Sequence, residues 1–375
     1  MDNFYRDTWV EIDVNALIHN FQKFKNLRPN QAMMAVIKAN GYGHGDVQLA
    51  QIYSKLGVAY LAVSSLDEAL HLRKNEINEP IIVLAPVKPA NVDIAAINKI
   101  TIVAYDEDWV KEVSEIKLCR PLKLHLEVET GMNRIGLRDV QIAYDRLSKV
   151  ENIQIEGIYT HIASGDSNLE SVNAQIKRFY NILSALKPEN FKYVHIANTA
   201  TTLQFNLPCV NLQRVGLGLY GLNPNIDFIT TSINLLPTLS FKSRLTQVSL
   251  VKKGESVSYN DTFVLTEDSY IGTLSVGYAD GWIRKNQGRF VLVNGLECEI
   301  IGRVCMDQMM IKINNSETRV GEVVTLIGPE MPLERVAFEL DTIAYEILTS
   351  ISDRVPRIYI KNSDNIEEIF LGRFK

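Results

Sequence analysis

The sequence predicts an α/β fold, an N-terminal (β/α)8 TIM-type barrel followed by a mostly-β C-terminal domain. Three patterns predict it. About eight short β-branched runs alternate with amphipathic, helix-period segments over the first two thirds of the chain. A polar, turn-rich stretch, NPNIDFITTSIN, follows Leu222 and reads as a linker. From Thr238 onward strand patterns dominate. A chain of 375 residues has room for a barrel of ~250 residues and a smaller partner domain. A doubly wound sheet, which usually needs fewer strands, is the second choice.

Taken in order, the barrel strands are AMMAVIK ending at Lys38, AYLAV at Val63, IIVLA at Ala85, ITIVA at Ala104, LKLHLEV at Val128, IEGIYTH at His161, FKYVHIA at Ala197 and VNLQRV at Val215. Segments such as VQLAQIYSKLG and SLDEALHLRKN supply the helices between them. Ser65 with Asp67 and Glu68 makes an acidic helix start, and Gly57 a helix stop. The second domain is read as the strands SFKSRLTQVSLV, SYIGTLSVGYA, RFVLVNGLECEIIGRVC, MMIKIN and EVVTLIG, with a hairpin turn at Asn294-Gly295 and one helix near DTIAYEILTSI. Domain limits follow at residues 1–238 and 239–375, the first ten or so residues being free to pair with the second domain.

Hydrophobic residues make up 46% and charged residues 22%, which excludes a disordered chain and a membrane bundle. The net charge of −5 gives no global attraction to nucleic acid or anionic lipid. Four cysteines with no C-x-x-C pair fit a reducing compartment and argue against a zinc knuckle. The start MDNFYRDTWVEID lacks a basic and then apolar leader pattern, so a cytoplasmic location is expected.

In a parallel barrel, chemistry gathers at the C-terminal strand ends. Those ends carry Lys38, Arg134, His161, Asn198 with Thr199, and Arg214 with Gly216. Lys38 follows the apolar AVI. It is either a lysine leaving a strand for solvent or a half-buried amine whose burial disfavours the ammonium and frees it to attack a carbonyl. Gly216, Gly218 and Gly221 spell G-x-G-x-x-G. They run into YGLNPNIDF rather than a helix, so a barrel phosphate site or a tight connection fits better than a dinucleotide fingerprint. Arg214 is either a surface arginine or one facing a ring nitrogen of a cofactor. His125, Glu127 and Glu129 alternate on one strand. With His161 and His195 they read either as a divalent-metal site or as a salt-bridged polar layer with Arg134.

The segments AVIKANGYGHG, ETGMNRIG, YTHIASGD, HIANTA, RVGLGLYGL, VSYNDTF, GYADG and RVCMDQ closely resemble, in order from about Thr8 to Tyr359, the landmarks of alanine racemases. The resemblance implies a homodimer of two-domain subunits that uses pyridoxal 5′-phosphate, needs no metal, and supplies D-alanine for peptidoglycan. It implies that Lys38 is the imine-forming lysine and one catalytic base. Tyr259, lent to the site of the neighbouring subunit, would be the other. Tyr42, Thr199, Gly216 and Leu217 match the phosphate cradle. Arg214 matches the arginine at the pyridine nitrogen, with His161 beside it. Arg134 and the backbone of Met306 match the substrate-carboxylate site, and Tyr278, Arg284, Arg303 and Asp166 resemble residues around the access corridor. Two bases on opposite faces of a planar intermediate are what removal and return of an α-proton require.

Two positions depart from that pattern. Glu127 stands where many relatives carry a carbamylated lysine, and it is expected to hold Arg134 directly or through water. Asp353 replaces a tyrosine of several relatives and is expected to turn toward Arg354 or Arg357, leaving a pocket wide enough for serine. Competing readings are a metal-dependent barrel hydrolase using His125, Glu127, His161 and His195, and a non-catalytic pyridoxal-phosphate carrier, against which Tyr259 speaks.

Overall fold

The computed structural model describes residues 5–224, 233–361 and 366–370. Most of the expected linker, at 225–232, lies outside these residues. They form two compact units, one within Leu17–Gly41 and Asp46–Leu236, the other within Met1–Ala16, Tyr42–Gly45 and Pro237–Lys375.

Strand β1 (Thr8–Asp13) pairs within the second unit. The first unit holds β2 (Ala32–Val36), β3 (Tyr60–Val63), β4 (Ile81–Val83), β5 (Ile100–Ala104), β6 (Leu122–Val128), β7 (Ile153–Thr160), β8 (Tyr193–His195) and β9 (Leu212–Val215). Each pairs in parallel with its sequence neighbour, and β9 returns to β2. Between β8 and β9 the ring is closed by Asn211 N–H donating to Val194 O (3.1 Å) and Arg214 N–H to Ala197 O (3.0 Å). This is the eight-stranded barrel read from the alternation. Helices follow the strands, with the amphipathic faces expected of them. The helix Leu66–Lys74 opens on a capping box in which the Ser65 hydroxyl accepts from Glu68 N–H and Glu68 reaches back to the Ser65 backbone. Gly57, at φ +76°, follows the helix Asp46–Lys55.

In the second unit β10 (Leu239–Val251) is long enough to serve two neighbourhoods. Its first half pairs with β1 and with β15 (Val323–Ile327), and its second half, past a bulge at Leu245/Gln247, with β11 (Ser269–Leu274). β12 (Phe290–Val293), β13 (Leu296–Ile301) and β14 (Met309–Lys312) complete a closed ring, β10-β11-β14-β13-β12-β15, around a core that includes Val257, Leu265, Ile271 and Ile301. β1, β16 (Arg357–Ile360) and β17 (Ile366–Phe370) extend the sheet beyond β10, with β1 and β16 parallel and every other pair in this unit antiparallel. Asn294 (φ +49°) and Gly295 (φ +78°) turn the β12–β13 hairpin as expected. The helix expected near DTIAYEILTSI is Ala344–Ser350, and a further helix, Leu333–Glu339, precedes it. Asp341, at φ +54°, falls between them and ends the helical path.

Candidate active site at the barrel rim

Lys38 ends the β2 run and opens a turn in the left-handed region: Ala39 (φ +53°), Asn40 (+51°), Gly41 (+62°) and Tyr42 (+53°). Three of these are not glycine, so the turn carries a conformational cost of about 1–2 kcal/mol for each. Neighbours fix it in place. Ala39 N–H donates to Glu68 Oε1 (2.7 Å), Gly41 N–H to Ile37 O (2.9 Å), and Asp46 N–H to Asn40 Oδ1 (3.1 Å). The other oxygen of Glu68 takes Ser64 and Ser65 N–H, so one carboxylate ties the Lys38 turn to the helix after β3. Sequence reasoning saw Glu68 only as a helix start.

The Lys38 amine makes no hydrogen bond among the described residues. Burial, reinforced by the charges of Arg134 and Arg214 against that of Glu68, lowers its pKa below that of an ordinary lysine. Arg134 stands exposed at the end of a loop that Glu129 organises, its carboxylate accepting Gly131 N–H and, at 2.7 Å, Asn133 N–H. Gly136 follows at φ +133°, where an added Cβ would lie 2.7 Å from Glu129 N.

Arg214, on β9, donates to two imidazoles: Nη1 to His195 Nδ1 and Nη2 to His161 Nδ1, both at 2.8 Å. Burial and the cations Arg214, Arg134 and Lys38 bring His161 down to about 3, so it is neutral at physiological pH. Burial likewise holds His195 well below its ordinary value. Thr199, first residue of a short helix after β8, accepts Gly216 N–H and Gly218 N–H on its hydroxyl, each at 3.3 Å. Lys38, Arg134, His161 and Arg214 are thus brought within electrostatic reach of one another on the barrel unit, and the Thr199 hydroxyl is bonded to the turn that holds Gly216 and Leu217.

Tyr42, Tyr259 and Met306 belong to the other unit. Tyr42 is buried against the Tyr345 ring (centroids 5.9 Å apart). Tyr259 is 67% exposed and Met306 54% exposed. The Tyr259 turn is tied to the Met306 loop by Ser258 Oγ–H donating to Arg303 O (2.7 Å), while Met306 O accepts Ala279 N–H (3.0 Å). Tyr278, Arg284 and Arg303 are on this unit, and Asp166 is on the barrel.

Several expectations need correction. Glu129 lies beyond the end of β6 and does not join His125 and Glu127. Those two also part company, His125 Nδ1 meeting His195 Nε2 at 2.9 Å and Glu127 accepting the Tyr159 phenol at 2.5 Å. Among the described residues, no three His, Cys, Asp or Glu side chains gather to hold a metal. Glu127 acts on Arg134 through charge, and its side-chain hydrogen bond is to Tyr159, which the strand register places directly opposite it. Asp353 needs no correction: it acts through charge on Arg357, one of the two arginines expected for it, while Arg354 is held by Asp280 and Asp307.

A (β/α)8 barrel with a weakened lysine ammonium at its rim, joined to a closed β unit, defines a two-domain barrel protein of amine chemistry. Residues 12–224 match the family model of the alanine racemase N-terminal domain and residues 238–359 that of the C-terminal domain. The chain is 40% identical to the alanine racemase of Halalkalibacterium halodurans over 98% of each chain. The structure of alanine racemase from Bacillus anthracis with bound L-Ala-P superposes with a TM-score of 0.93 at 38% identity, covering 99% of both chains. A histidine racemase from Leuconostoc mesenteroides superposes at 0.86 with 29% identity, covering 95% of this chain and 99% of that one. The chain belongs to the alanine racemase family.

Proposed function

We propose that this chain interconverts L- and D-alanine with pyridoxal 5′-phosphate as cofactor, works as a cytoplasmic homodimer, and supplies D-alanine for peptidoglycan. The observation that carries the reading is Lys38, an amine with no hydrogen-bond partner among the described residues, whose pKa is lowered by burial and by the charges of Arg134 and Arg214. The donor set fits a phosphorylated pyridine aldehyde: one amine for the carbonyl, a hydroxyl and glycine amides at Thr199 and Gly216 for the phosphate, and an arginine N–H for the ring nitrogen. Bound there, the cofactor would supply an electron sink for the α-carbon.

The chain's own groups would do the rest. Thr199, Gly216, Leu217 and Tyr42 would hold the phosphate. Arg214 keeps its proton, as guanidinium groups do, so it would donate to the ring nitrogen without protonating it. Neutral His161 accepts from Arg214 and adds no positive charge. Arg134 and the Met306 backbone would orient the substrate carboxylate. Lys38 would take or return the α-proton on one face, and Tyr259 of the partner subunit on the other. No helix among the described residues is long and apolar enough to cross a membrane.

The likeness to a histidine racemase favours a second reading, racemisation of a larger amino acid. The test is α-proton exchange and inversion of L-alanine in deuterated buffer, with L-serine and L-histidine as competitors. Alanine should turn over fastest, and borohydride should mark the Lys38 peptide in a mass map. Lys38→Ala should lose at least about 10⁴-fold in rate. Inversion at the native rate by that variant would overturn the assignment.

A further inference from the structure

Beneath the rim, a line of polar side chains runs through the barrel interior to its opposite end. It continues from Arg214 through His195 to His125, whose Nδ1 lies 2.9 Å from His195 Nε2. His125 Nε2 is buried and has no hydrogen-bond partner among the described residues, and it faces Glu156 Oε2 at 3.9 Å. Glu156 also accepts the Tyr60 phenol and Lys123 Nζ (2.8 Å), with Lys192 Nζ at 3.4 Å.

Donor chemistry gives this line a direction. A guanidinium can only donate, so the Nδ1 atoms of His195 and His161 are both acceptors, and each neutral ring carries its proton on Nε2. His195 Nε2–H then donates to His125 Nδ1, which leaves the His125 proton on Nε2, aimed at the Glu156 carboxylate. Burial keeps His125 and His195 neutral.

The backbone is built around the same contact. Leu124 pairs with Ile155 and His125 with Gly157, so Glu156 is the extra residue of a β-bulge. A Cβ on Gly157 would lie 2.7 Å from His125 Cε1 and Nδ1. One bulged residue and one bare backbone position therefore admit both the carboxylate and the ring. A simple ion pair with the two lysines would require neither.

We propose that Glu156 is a positioning residue for Arg214, acting through His125 and His195 to hold in place the imidazole that accepts from the arginine at the rim. Its effect on rate rests on the racemase reading above, whereas the proton arrangement does not.

The test is nitrogen-15 NMR of the imidazoles in the cofactor-loaded protein, which has only six histidines, together with kcat and KM for alanine. In the wild type, His125, His161 and His195 should all be neutral Nε2–H forms. Glu156→Leu should shift the His125 Nε2 resonance and lower kcat about tenfold with KM little changed, as loss of the buried carboxylate that faces His125 Nε2 implies. Glu156→Gln, which keeps the shape and an acceptor oxygen, should still move the His195 Nδ1 resonance and reduce kcat by a smaller factor. This variant decides the matter should the leucine variant not fold. A wild-type His195 protonated on Nδ1, or a Glu156→Gln protein with both resonance and kcat unchanged, would overturn the proposal. A wild type with the three Nε2–H forms but no racemisation would overturn the functional reading and leave the proton line standing.

Discussion

The two units treat buried charge in opposite ways. In the β-rich unit, Asp280 is fully buried and answered on both oxygens, Oδ2 by Arg6 (2.6 Å) and Gly277 N–H (2.9 Å), Oδ1 by Arg354 (2.7 Å). Arg357, also fully buried, donates to the carbonyls of Gly43, Ser352, Val355 and Ile351. In the barrel unit, Arg214 is bonded to imidazoles, Lys38 to no one among the described residues, and Glu127 to a phenol. Burial drives the Glu127 carboxyl up to about 7 despite that bond and two nearby arginines. Charge satisfied by the chain itself serves the fold. Charge left partly unanswered is what a chain keeps where a ligand is to complete the pairing, and it costs stability to keep it.

The contrast can be broken in three places. Asp280→Asn should cost roughly 3–5 kcal/mol in denaturant unfolding, because it strands two arginines around a buried neutral group. A loss under about 1 kcal/mol would mean that the β-rich unit does not depend on this pairing. Glu127 should act the other way. Its folded pKa of about 7 lies above the ordinary 4.5, so between those values the folded state holds a proton that the unfolded state has released. Its contribution to stability therefore falls as pH rises through that window, by at most about 3 kcal/mol. Glu127→Gln should flatten the stability profile there, and an unchanged profile would show Glu127 to be as fully answered as Asp280. The smallest effect belongs to a position without charge. Gly295→Ala meets open space but forces φ +78° on a residue with a side chain, and should cost about 1 kcal/mol, readable as a small drop in Tm. A larger drop would mean that hairpin geometry outweighs charge in this unit.

The barrel was legible because its strands are apolar runs of regular spacing, and their ends pick out Lys38, His161, Thr199 and Arg214 without any partner knowledge. Alternation along β6 places His125 and Glu127 on one face, but it cannot say what stands opposite, and so it leaves a metal site and a salt-bridged layer both open where the structure has His195 and Tyr159. Glu156 went unread although IEGIYTH carries a signal for it, since a glycine inside a strand pattern marks a bulge or a close approach. Glu68 was hidden by its helix-capping role, which explains the residue without its bond to the Lys38 turn. The helix Leu333–Glu339 was missed because a left-handed aspartate leaves no mark on hydrophobic periodicity.

β1 lies between β10 and β16, bonded to both. During synthesis this strand leaves the ribosome ahead of the barrel, yet both its neighbours are made more than two hundred residues later and only after the whole barrel has emerged. The β-rich unit must therefore wait, its central slat already made but unclamped, and a fragment cut at the start of β10 would have a gap in the middle of its sheet with two unsatisfied edges facing each other.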